Sequence, residues 1–98
     1  MTMIPTHRIS EHPGEILLSE FLEPLELSQQ ALALHLGVPV QRINELVKGR
    51  RGVTPEWAWM LGKAFKTGPE FWMNLQSAHE LSKARAHAKD VKPIKSAG

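Results

Sequence analysis

Residues 28 to 49 constrain this chain more than any other stretch, because they hold two short apolar stripes broken by a single glycine. Ser28 carries a hydroxyl that can accept a backbone N–H from the open first turn of a helix. Ala31, Leu32, Leu34 and Leu36 then form an apolar face at helical spacing. Gly37 ends that helix, since a residue without Cβ adopts a positive φ at little cost. Pro39 starts a second helix with φ already set. Ile43, Leu46 and Val47 recur at i, i+3 and i+4 as its buried stripe, leaving Gln41, Arg42, Asn44, Glu45 and Lys48 pointing outward. Gly49 closes it.

Two helices joined by a glycine turn, the second polar on its free flank, make the helix-turn-helix pattern. The flanking sequence supplies three more helices. Pro13 takes a first helical position and Glu15 follows in the first turn, which predicts a helix from Pro13 to Glu23 stopped by Pro24. Leu17, Leu18, Phe21 and Leu22 are its inner side, and Leu25 and Leu27 are expected under the start of the next helix. Thr54-Pro55-Glu56 opens a fourth helix running to about Phe65, with Trp57, Ala58, Leu61, Ala64 and Phe65 inward. Thr67 and Glu70 have capping-box spacing for a fifth, which carries Phe71, Trp72, Leu75, Ala78 and Leu81 on one side. No strand pattern and no internal repeat occurs. The expectation is an all-α chain: an arm over 1–11, a five-helix domain over 12–82, and a basic helix end with a flexible tail over 83–98.

Ninety-eight residues suit one domain. No run of eighteen apolar residues and no secretory leader pattern is present, so the expected location is the cytoplasm, with no membrane contact. The absence of cysteine excludes disulfides and Cys-based zinc sites. His7, His12, His35, His79 and His87 form no His-Glu-x-x-His motif, no Gly-x-Ser-x-Gly elbow exists, and the single aspartate is Asp90. Gly49-Arg50-Arg51-Gly52 lacks the Lys-Ser/Thr pair and the preceding strand of a phosphate loop. Neither an enzyme, a metal site nor a cofactor is expected. Charge is uneven: residues 1–40 hold one Arg against five Glu, whereas residues 41–98 hold eleven Lys or Arg against five acids. That asymmetry points to an anionic partner for the second half, with a solvated basic tail from Lys83 onward as the alternative.

If the second helix of the pair enters the major groove of double-stranded DNA, its N-terminal residues face base edges. Gln41 and Asn44 can each make the paired donor–acceptor contact that selects adenine, and Val40 can meet a thymine methyl. Glu45 can accept from cytosine N4 or simply repel phosphate. Arg42, Lys48, Arg50 and Arg51 are the natural backbone clamps. The competing readings are solvated polar positions for Gln41 and Asn44 and a free surface loop for Arg50 and Arg51.

Longer motifs carry a resemblance. Leu32-Ala33-x-x-Leu36-Gly37-Val38, Ile43-Asn44-x-Leu46 and Gly49-Arg50-Arg51 resemble phage-repressor (XRE-type) helix-turn-helix proteins. His12-Pro13-Gly14-Glu15-Ile16-Leu17, Gly49 through Glu56, and Pro69-Glu70-Phe71-Trp72-Met73-Asn74-Leu75-Gln76 are similar to the HigA-type antitoxins of toxin–antitoxin pairs. The resemblance implies a lambda-repressor-like fold and a homodimer on a palindromic operator. It also implies a HigB-type toxin, an mRNA-cutting ribonuclease, held inactive while the shared operon is repressed. Gln29 matches the family position that grips phosphate. Pro39 departs from the family, whose members often place Ser or Thr there. A solitary regulator without a toxin, or a protein-binding module without DNA affinity, are the alternatives.

Trp59 lies two residues from Trp57, about 200° around a helix, so the two cannot both face the core. Trp59 and Met60, and likewise Phe71, Trp72 and Met73, are therefore either dimer or partner contacts or a rim of the core.

Overall fold

Five helices account for most of residues 10–95, the part of the chain that this computed structural model describes. Helix α1 (Pro13–Ile16) is capped by His12, whose Nδ1 accepts the Gly14 N–H at 2.9 Å. It runs on without a break as a π-helical segment over Leu17–Leu22, in which Glu23 N–H reaches back to the Leu18 carbonyl at 2.9 Å. The wider turn brings Leu17 and Leu22, five residues apart, into the core, while Leu18 and Phe21 are half-buried. Regular α spacing predicts four equivalent inner residues and misses this change of pitch. Leu25 does not pack under the next helix: it is 61% exposed, and only Leu27 turns in. Between them Glu26 has a φ of 52°, which redirects the chain.

Helix α2 (Gln29–Leu36) starts at Ser28, whose Oγ accepts the Ala31 N–H at 3.0 Å. Of the expected face Leu32 and Leu36 turn inward, joined by Ala33, whereas Ala31 is exposed and Leu34 is 84% exposed. The inward side places Leu32 and Ala33 in one core with Leu17, Leu22, Ile43 and Leu46. Gly37 adopts φ 72°, and its N–H bonds the Ala33 and Leu34 carbonyls. Helix α3 (Val40–Val47) follows. Pro39 is its cap, with ψ 142°, rather than its first residue, and no side chain caps it. Ile43 and Leu46 are fully buried. Gly14 sits directly on α3: a Cβ there would collide with the Leu46 carbonyl oxygen, so only glycine allows α1 to approach this closely.

Helix α4 (Pro55–Ala64) is capped by Thr54, whose hydroxyl accepts the Trp57 N–H at 3.3 Å. Helix α5 (Pro69–Arg85) begins at Gly68, and no capping box forms. The Thr67 hydroxyl is used otherwise, accepting Trp72 Nε1–H at 2.9 Å and donating to the Gly68 carbonyl at 3.0 Å. Trp72 is completely buried against Phe21 and Phe65, and Gln76, Ala78 and Ser82 are buried below it. Leu81 is turned out, 55% exposed, contrary to the apolar pattern. No helix among the described residues is long and apolar enough to cross a membrane.

Candidate nucleic-acid interface

The amphipathic division of α3 determines what it offers outward. With Ile43 and Leu46 anchored, Gln41 and Arg42 are exposed, Val40 is on the edge of exposure, and Asn44 and Glu45 are half-buried. The first N–H groups of α3 meet no side-chain acceptor at Pro39. An uncapped helix start is electropositive and directs N–H groups at any anion placed there.

Asn44 does not float free. Its Nδ2 donates to Gln29 Oε1 at 3.2 Å, tying the outer flank of α3 to the first residue of α2. Both side chains are thereby oriented, and each keeps unused hydrogen-bonding capacity: the Gln29 amide its NH2, the Asn44 amide its carbonyl. Gln29, predicted to grip phosphate, and Asn44, predicted to read a base, thus stand side by side at the mouth of the two-helix unit.

Glu45 and Arg51 are paired, Arg51 Nε donating to Glu45 Oε1 at 3.0 Å. With about two-fifths of each side chain exposed, such a pair contributes little stability, less than about 1 kcal/mol. Its consequence is positional. The pair folds Arg51 back over α3 and neutralises the only acid on that helix. Lys48 and Arg50 are exposed on the link to α4.

That link is held from behind by a residue the sequence pattern overlooks. Gln76 of α5 is buried, and its Oε1 accepts the Val53 N–H at 2.7 Å. The apolar pattern favours Leu75, one residue earlier, yet Gln76 is the more deeply buried. Its spacing of four from Trp72, one helical turn, was the available clue. His12 was missed in the same way. It caps α1, packs edge-on against His79 at 4.9 Å between ring centroids, and lies beside Gly49 at the end of α3. Burial, and after it the neighbouring His79, hold the His12 imidazole below its ordinary value of 6.5, against a smaller opposing pull from Glu15. His79 Nδ1 is 2.7 Å from the Ser10 carbonyl.

The candidate contact residues on α4 and α5 separate. Trp59 is 56% exposed, with Lys63 Nζ 5.8 Å from its ring centre, and Phe71 is 38% exposed. Met60 and Met73 are half-buried against the core. Trp72 cannot touch any partner, because it is fully enclosed; its ring is the centre of the aromatic cluster instead. Among the described residues no group of three His, Cys, Asp or Glu side chains could hold a metal ion.

A helix-turn-helix family profile matches residues 18–72. Virulence-associated protein I of Dichelobacter nodosus is 41% identical over 83 residues, covering 85% of this chain and 77% of that protein. A Pseudomonas aeruginosa protein solved in complex with its 18-base-pair operator DNA superposes with a TM-score of 0.83 at 39% identity, over 87% of this chain and 97% of that one. Antitoxin HigA of Pseudomonas aeruginosa, solved with the higBA promoter, gives a TM-score of 0.76 at 44% identity, over 79% and 84% of the two chains.

Proposed function

Because this chain belongs to the helix-turn-helix family, and within it to the HigA-type antitoxins, we propose that it is a sequence-specific repressor that binds double-stranded operator DNA through α3. The observation that supports this best is the uncovered flank of α3, where Gln41 is exposed and Asn44 is held beside Gln29 by a 3.2 Å bond. In this reading Val40, Gln41, Asn44 and, once released from Arg51, Glu45 face base edges. Gln29, Arg42, Lys48, Arg50 and Arg51 hold the phosphates. The chain acts as a homodimer in the cytoplasm, with two recognition helices about one DNA turn, roughly 34 Å, apart on a palindrome. It also neutralises a HigB-type ribonuclease toxin and represses the operon that encodes both. The solved relative bound to a higBA promoter supports this part, since it joins the same fold to that gene pair.

Fluorescence anisotropy with the DNA upstream of this chain's own reading frame tests the reading. Binding tighter than to unrelated DNA, and lost in a Gln41→Ala, Arg51→Ala double variant, is the expected result. Equal binding by the double variant would remove α3 from the interface. The toxin partner is tested by co-expressing the neighbouring gene product: co-purification and restored growth are expected, and their absence favours a solitary regulator.

A further inference from the structure

The interface around α3 leaves most of the chain's positive charge unused. Between Lys83 and Lys95 stand Lys83, Arg85, Lys89, Lys92 and Lys95 against one acid, Asp90. All five cations are exposed. None has an ion-pair partner among the described residues, where the one such pair is Arg51–Glu45. Past Arg85 the chain has no regular structure and projects outward. The radius of gyration is 16.4 Å, against about 12.6 Å for a compact chain of this length.

The place where this segment is rooted gives the charge a direction. The middle of α5 lies against the link that follows α3, and its C-terminal half against Ser10 and His12. Gln76 binds Val53 at 2.7 Å, and the Ser82 hydroxyl accepts the Ser10 N–H at 2.8 Å. His79 meets the His12 ring, which in turn lies beside Gly49: a Cβ on Gly49 would sit 3.8 Å from it. Lys83 is close enough to His12 for its charge to act on that imidazole, behind the larger effects of burial and His79. The basic segment is therefore rooted on the side of Gly49, the residue that Lys48 and Arg50 flank. The other half of the molecule supplies no comparable charge: residues 10–40 contain five Glu and no Lys or Arg.

We propose that Lys83–Lys95 is a second phosphate-binding element, which extends the Lys48-Arg50-Arg51 clamp along the DNA backbone beyond the bases that α3 faces. This rests on the operator-binding reading. Four of the five cations are lysines, point charges on flexible stems without the planar fork that reads a guanine edge bidentately. The segment therefore adds affinity by releasing counterions, with no preference for sequence.

The test is the salt dependence of binding, measured by anisotropy on the chain's own upstream duplex and on an unrelated duplex of equal length. The full chain is compared with a variant carrying Lys83→Gln, Arg85→Gln, Lys89→Gln, Lys92→Gln and Lys95→Gln. If all five cations engage, the slope of log K against log salt falls by about 4.5. The proposal requires a fall of at least two units, with both duplexes weakened by the same factor. A smaller fall, as when the segment folds onto the acidic face instead, overturns it, and so does a loss confined to the specific duplex. Truncation after Ala88 covers the case in which the α5 changes disturb folding. It removes three cations from a segment without helix, and the slope must fall by at least one unit. A full chain that binds the two duplexes equally tightly defeats the operator reading while leaving this comparison valid; a full chain that binds neither defeats both.

Discussion

His12 shows how one side chain links the fold to pH. Its Nδ1 accepts the Gly14 N–H, so the cap requires that nitrogen to be unprotonated. Glu15 on α1 and His79, Glu80 and Lys83 on α5 all act on the ring, and burial dominates, so its native pKa lies below 6.5. The unfolded chain binds the proton more readily, and stability therefore rises with pH between the native and unfolded values. The contribution is complete above about pH 6.5, erodes as pH falls below it, and levels off beneath the native pKa. Urea unfolding at several pH values should show this decline in the natural protein. It should be flattened in His12→Asn, which keeps a capping oxygen but cannot titrate. At Gln41 the stake is specificity. Gln41→Ala should leave the melting temperature unchanged, because the side chain is exposed, and should relax preference at one base pair by about 1–3 kcal/mol. A competition binding series over single-base operator variants reads this directly.

At the level of elements, the crossing of α1 over α3 is one of the contacts that position α3. It depends on Gly14, whose missing side chain leaves room for the Leu46 carbonyl. Gly14→Ala should cost about 3 kcal/mol by overpacking and should weaken DNA binding beyond what the loss of folded protein explains, since α3 must shift. Gly37→Ala is the contrasting case. Nothing lies within 4 Å of a Cβ there, and the cost comes only from its φ of 72°, about 1 kcal/mol. Thermal melts of the two variants, each with an anisotropy titration, distinguish a packing defect that reaches α3 from a local turn defect that does not. The π-helical segment works at the same level. By bringing Leu17 and Leu22 inward together, it lets Phe21 turn toward Phe65 and Trp72, at 4.8 and 5.2 Å between ring centres.

For the whole molecule, the three tryptophans divide between core and surface. Trp57 and Trp72 are in the core, and Trp72→Ala should cost about 3–5 kcal/mol and unfold much of the protein at ambient temperature. Trp59 is 56% exposed with only Lys63 over it, so Trp59→Ala should change stability by less than about 0.5 kcal/mol. If Trp59 and Phe71 form the surface for a second copy or a partner, sedimentation velocity of Trp59→Ala should show weaker self-association, or toxin co-purification should fall. Unchanged behaviour in both would assign Trp59 to plain solvent exposure. The charge asymmetry acts on the same scale, leaving an acidic first half and a basic second half.

The sequence by itself determined the helices, their order and the two-helix unit. Those features come from local chemistry: the Ser28 and Thr54 hydroxyls, prolines at helix starts, a glycine at a left-handed turn, and apolar residues at helical spacing. It also made legible which flank of α3 is polar, because Ile43 and Leu46 leave no other side to bury. Tertiary structure decided what periodicity leaves ambiguous. It turned Leu25, Leu34 and Leu81 outward, because no neighbouring helix covers them, and drew Trp72 and Gln76 inward, because Phe21, Phe65 and Val53 meet them there. The pairings Asn44–Gln29, Arg51–Glu45 and His12–His79 were equally out of reach, spanning 15, 6 and 67 residues. Such contacts depend on how helices cross, and crossing is set by packing in three dimensions rather than by any pattern along the chain.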